Sequence, residues 1–161
     1  MCQDSLHSRT TGKIVQDHAP PSPYGVQNPR RKSMTDLLTS FASGNISRIS
    51  GSKDAKSLAW NPHPSNAGVN LKHLITGDET EGRFSVHLVK LDPGAIIGEH
   101  VHEDHWEMHA IVGGDGVCAV ERNAVTYEAG DMNVLPENIK HSVQAGKNGL
   151  LILAKFIPAL L

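Results

Sequence analysis

The run from Gly94 to Gly114, G-A-I-I-G-E-H-V-H-E-D-H-W-E-M-H-A-I-V-G-G, carries the reading of this chain, and Gly130-x5-Pro136-x4-His141 completes it. Together they supply three imidazoles, His100, His102 and His141, and one carboxylate, Glu107. That ligand set suits zinc, manganese, iron, nickel or copper rather than calcium or magnesium. Spacing matters as much as residue type. His100 and His102 stand two apart, so extended backbone points both to one side. A short turn through Glu103-Asp104-His105 lets the chain reverse and return Glu107 on a neighbouring strand. His141 arrives from a third strand, after Pro136. Four such groups turned inward would be costly without a partner, because unpaired polar burial costs about 2–7 kcal/mol each. One divalent cation satisfies all of them together.

These two stretches resemble the paired motifs of the cupin family, G-x5-H-x-H-x3–4-E-x6-G and G-x5-P-x-G-x2-H-x3-N. Every ligand position is filled. Asn138 replaces the middle glycine of the second motif, and Ala145 replaces its terminal asparagine. Asparagine is the next best residue for a left-handed turn, and position 145 carries no ligand. The resemblance spans roughly residues 68–157. It implies an all-β fold, a double-stranded β-helix or jelly roll, with His100, His102, Glu107 and His141 on one divalent transition metal. It also implies a range of enzymes, dioxygenases among them, alongside binding and sensing proteins. The leading expectation is a dioxygenase-like oxidoreductase acting on a small oxygenated molecule. A non-catalytic metal- or ligand-binding barrel is the alternative.

Outside the motifs the pattern agrees with a barrel. Val69-Leu71-His73-Ile75 and Phe84-Val86-Leu88 alternate as half-buried strands do. Glu107, His109 and Ile111 share one face of the next strand; Trp106, Met108, Ala110 and Val112 share the other, under a helix or a partner subunit. Gly113-Gly114-Asp115-Gly116, Arg122-Asn123 and Lys147-Asn148-Gly149 read as hairpin connections. Leu150 to Ile157 is apolar enough for a strand buried on both faces. Asp36 to Ala42 places Leu37, Leu38 and Phe41 on one face of a short helix, which Gly44 can end. Three parts are therefore expected: a disordered, Ser- and Pro-rich tail over 1–33, an extension with a short helix over 34–67, and the barrel over 68–161.

His109, on the Glu107 face, is the candidate for proton transfer beside the metal. His73 and His87 are the other imidazoles on strands, with their facing undecided. Glu99, Asp104 and His105 read as surface groups near the ligands. A net charge of -2 over 161 residues gives no attraction to nucleic acid or to an anionic membrane. The basic run Arg30-Arg31-Lys32 lacks interleaved aromatics and reads as solvated tail. Two cysteines, Cys2 and Cys118, make no disulfide framework, and Cys118 reads as a buried inert thiol. With no signal pattern and no long apolar run, a cytoplasmic protein is expected. A homodimer is expected too, with the apolar Leu150–Leu161 segment and the helix near Leu37 as its surfaces.

Overall fold

The computed structural model describes residues 34–161, with side chains from Asp36 onward, so the expected tail over 1–33 and Cys2 lie outside the described residues. Helix α1 (Met34–Ser43) comes first. A two-stranded ribbon follows, β1 (Asn45–Arg48) against β2 (Gly51–Asp54). The remaining strands form one continuous antiparallel system: β3 (Asn61–Pro62), β4 (Val69–Ile75), β5 (Ser85–Leu91), β6 (Ile96–His100), β7 (Trp106–Val120), β8 (Asn123–Glu128), β9 (Met132–Leu135) and β10 (His141–Ile157). Their order is β3-β4-β5-β10-β7-β8, with β6 added to β10 and β9 to β7. The all-β jelly roll with a short N-terminal helix is what the chain forms.

Two long strands do most of the architectural work, and here two expected turns are corrected. Gly113–Gly116 and Lys147–Gly149 do not reverse the chain. Both lie inside β7 and β10, which run on through them. The pairing between these strands shifts register between Ala145 and Leu150, and again between Leu151 and Ile152. Extra residues opposite a continuous partner bend a strand without ending it. Gly114 (φ 85°) and Gly149 (φ 73°) supply the left-handed backbone at the bend. The first half of β7 and the second half of β10 join β5, β4 and β9; the other halves join β6 and β8. A true hairpin does connect β7 to β8. It turns through Glu121-Arg122, one residue earlier than expected, because Val120 pairs with Asn123.

The core lies between the two halves of this system. Val89, Leu91, Ile111, Cys118, Tyr127, Leu135, Val143, Ile152, Ala154 and Phe156 form one buried cluster. Cys118 is a buried free thiol, as its apolar run suggested. Ala145 sits in this same core, where an asparagine would need partners. A second, smaller cluster of Ala55, Leu74, Leu88 and Leu151 lies on the other face of β4, β5 and the second half of β10. Leu38 and Ala42 of α1, Ile46 of β1 and Trp60 cover it. Lys72 is buried beneath α1, where its ammonium donates to Ala42 O (3.0 Å) and Ala55 O (2.9 Å). The first of these is a carbonyl at the helix C-terminus, the end that favours a cation.

Candidate metal centre

Strand geometry brings the four motif residues to one focus. β10 runs between its two neighbours, pairing His141 directly with His100 of β6 and Phe156 with Glu107 of β7. His102 lies just past the end of β6, on the same side as His100, with ring centroids 4.9 Å apart. Its carbonyl accepts the N–H of Asn138 at 2.9 Å, and Asn138 has the left-handed φ of 64° that its place in the second motif required. One ligand atom from each of His100, His102, Glu107 and His141 lies within 4.8 Å of the others. Two bonds of about 2.1 Å to a shared cation span about 3–4 Å, so a contraction on the order of 1 Å would bring the ligand atoms to bonding distance.

The protons around the cluster also fit a cation. His100 donates through Nδ1 to Gly98 O (2.9 Å), and His141 through Nδ1 to Ile139 O (3.0 Å). Both rings therefore keep a bare Nε2, as a metal ligand must. His141 Nε2 lies 3.1 Å from Glu107 Oε2, and His102 Nε2 lies 3.4 Å from the same oxygen. His141 meets that oxygen with a lone pair, an unfavourable contact that a shared cation would relieve. Burial, with His141 and His102 nearby, holds His100 below the usual imidazole range. For Glu107, burial works to raise the carboxyl. The charge of His109, with the hydrogen bond it donates, leads the contacts that outweigh burial and hold the carboxyl well below the usual carboxylate range.

His109 is placed behind the cluster. Its Nε2 donates to Glu107 Oε1 at 2.8 Å, and its Nδ1 lies 2.8 Å from the Tyr127 hydroxyl, which also accepts from Asn133. Burial pulls His109 down, but the Glu107 charge prevails and lifts it to about 9. It is buried and does not line the cavity that opens in front of Glu107. That cavity holds about 350 Å³. His100, His102 and Glu107 reach into it, and Leu71, Val89, Ile97 and Phe156 contribute to its apolar surface.

Several lining residues were not legible as site residues. His73 and His87 both face this cavity, which settles their orientation. His63 and Asn66 reach it from the loop before β4, and Asn66 Oδ1 accepts the N–H of Gly98. A loop has no period from which facing can be read. Glu99 borders the cavity and pairs with Lys140 at 3.4 Å on an exposed surface. His105 is tied at Nδ1 to Pro158 O (3.0 Å).

Residues 87–153 match the Cupin domain family. An oxalate-binding protein of Thermotoga maritima is 30% identical over 91 residues, covering 55% of this chain and 75% of that protein. The chain is a cupin. A solved T. maritima structure described as a predicted oxalate decarboxylase superposes with a TM-score of 0.58 at 24% identity, covering 70% of this cupin and 98% of that chain. Ectoine synthase from P. lautus superposes with a TM-score of 0.53 at 21% identity, over 58% and 66% of the two chains. Relatives that share the barrel thus carry different chemistries, and the site has to decide function. No helix among the described residues is long and apolar enough to cross a membrane.

Proposed function

We propose that this cupin is a metal-dependent enzyme acting on a small oxygenated molecule, with dioxygenase chemistry. The observation that carries the reading is a four-ligand cluster opening onto a mostly apolar cavity of about 350 Å³. His100, His102, Glu107 and His141 would hold one transition metal of the iron, manganese, nickel, zinc and copper group. When bound, such a metal supplies Lewis acidity or, for a redox-active ion, electron exchange. The protein supplies the rest. Gly98 O and Ile139 O fix which nitrogen of His100 and His141 faces the focus. His109 holds Glu107 Oε1 and leaves Oε2 toward the Nε2 atoms of His102 and His141. Its part in proton transfer therefore runs through Glu107, not through direct contact with a ligand. Leu71, Val89, Ile97 and Phe156 exclude water from the place where a small molecule would lie.

A non-catalytic binding module is the second reading, and the oxalate-binding relative favours it. Elemental analysis of protein purified without a metal-affinity tag, followed by oxygen uptake with small diketones, phenols and thiols, separates the two. Stoichiometric iron with substrate-dependent oxygen consumption is the result expected for the enzyme. Tight zinc with ligand binding and no turnover would replace it with the binding module. A protein that takes up none of the candidate metals would end the enzyme reading and leave a metal-free ligand-binding barrel.

A further inference from the structure

The cavity has a second built feature, along the same sheet as Glu107 and in register with His109 through Ala154 of β10. His73 of β4 and His87 of β5 are cross-strand partners, with Nδ1 atoms 2.9 Å apart and rings edge to face. His87 Nε2 lies 2.9 Å from Ser85 Oγ, and that oxygen accepts the backbone N–H of Leu160 at 3.0 Å. Ser85 and His87 are fully buried.

Counting protons sets the direction of every bond in this chain. The Leu160 N–H can only donate. Ser85 has one hydroxyl proton to place, and His87 Nε2 is its one acceptor among the described residues. Reversing that bond would strand a buried hydroxyl proton, which costs more than an exchange of equivalent hydrogen bonds. His87 Nε2 is therefore bare, its proton sits on Nδ1, and that proton is donated to His73 Nδ1. His73 must then carry its own proton on Nε2. Both rings are neutral near pH 7: burial, then His73, pushes His87 down to about 4, and burial lowers His73. The Nε2 of His73 has no partner among the described residues, and the ring lines the cavity. No lysine or arginine lines that cavity, and Glu99 borders it.

We propose that His73 is the second anchor for the cavity's ligand: its Nε2–H, fixed by His87 and Ser85, donates to an oxygen remote from the end held at the Glu107 cluster. The ligand class follows. It carries two separated oxygen functions on a short apolar body, and at most a single negative charge, since no side-chain cation faces the cavity to balance a second. An oxo acid with a further carbonyl has this form. The assignment rests on the reading of the cavity as a site for a small oxygenated molecule, and it makes His87 and Ser85 positioning residues.

Long-range proton–nitrogen NMR on the metal-free, nitrogen-15-labelled protein at pH 7 reads the tautomers directly. His73 protonated on Nε2 and His87 on Nδ1 are expected, and Ser85→Ala should turn His73 into a mixture. His73 protonated on Nδ1 in the native chain overturns the assignment. Calorimetry on the zinc-loaded protein then compares 2-oxohexanoate with 2,5-dioxohexanoate, which share a chelating end and differ by one carbonyl. The extra carbonyl should tighten binding about three- to tenfold, the worth of one neutral hydrogen bond. His73→Phe should abolish that advantage at unchanged zinc content, and His73→Gln, which keeps an N–H donor, should retain part of it. Equal affinities in the native protein, or an advantage surviving in His73→Phe, overturns the proposal. Failure of the native protein to take up zinc would sink the metal reading alone, because the tautomers in metal-free protein still decide His73.

Discussion

Removing single side chains separates holding a metal from shaping the site around it. His102→Ala deletes a ligand and should strip most of the metal, read by elemental analysis after dialysis; full retention would refute the ligand set. His109→Leu leaves all four ligands but frees Glu107 Oε1, which His109 now binds at 2.8 Å. Loss of such a supporting partner typically costs 10–100-fold in metal affinity. Competition against a chromogenic chelator would measure it, and an unchanged affinity would remove His109 from the site. His87 gives a pH prediction independent of any metal. Its folded pKa, about 4, lies below the ordinary 6.5, so between these values the unfolded chain binds a proton that the folded chain refuses. Stability is therefore intact above pH 6.5 and falls as pH drops toward 4, by up to roughly 3 kcal/mol. His73 and Glu107 are the charged or titratable neighbours that act on it, the first lowering and the second raising its pKa. Urea midpoints of metal-free protein at pH 7 and pH 4.5 should therefore lie closer together in His87→Phe than in the native chain.

Among the elements, the bent strands are the sharpest test of the fold. A Cβ on Gly114 would run into the backbone carbonyl of Gly149, and the φ of 85° disfavours any side chain there. Gly114→Ala should cost about 1–3 kcal/mol and lower the thermal midpoint by several degrees. A free hairpin loop would show only the backbone-angle part of this cost, about 1 kcal/mol, without the clash. Lys72→Met would strand the Ala42 and Ala55 carbonyls under α1, for a similar loss. Hydrogen exchange should then accelerate in α1 before it does in β5. The contrast between these bends and the metal cluster shows what a sequence of this kind discloses. The ligands were legible because chemistry restricts residue type and spacing together, and His100-x-His102 needs only local extended geometry. The bends were not, since Gly113-Gly114-Asp115-Gly116 and Asn148-Gly149 satisfy the local demands of a hairpin turn equally well. Only the pairing of β7 with β10 on both sides of the bend distinguishes them, and that pairing spans distant parts of the chain. His73 and His87 were ambiguous for a related reason. Their strands alternate, but the cavity is lined by parts of both sheets and by the loop at His63–Asn66.

For the molecule as a whole, strand alternation divides β7 between two tasks. Glu107, His109 and Ile111 are buried on the inner face; Trp106 on the other face is 47% exposed. Registration extends that outer face sideways: Met108 pairs with Val134 and Ala110 with Met132 on β9, while Trp106 pairs with Ile157 on β10. Met132 and Val134 are 74% and 58% exposed, and β9 pairs only with β7 among the described residues. Contiguous apolar surface on an edge of a sheet calls for a cover, and a second copy of the same face is the simplest one. The Leu150–Phe156 part of the C-terminal segment is not available for this role, because it is largely buried as the central strand. The homodimer is therefore predicted to pair through Trp106, Met132, Val134 and Ile157. Light scattering at low micromolar concentration should find a particle of twice the 17.4 kDa chain mass. A lone single-chain species would refute the dimer. The double variant Met132→Glu, Val134→Glu should give that single-chain species while keeping the native metal content, because Glu107, the ligand that β7 carries, is buried on the opposite side of that sheet and the other three ligands come from β6, the segment after it and the first half of β10.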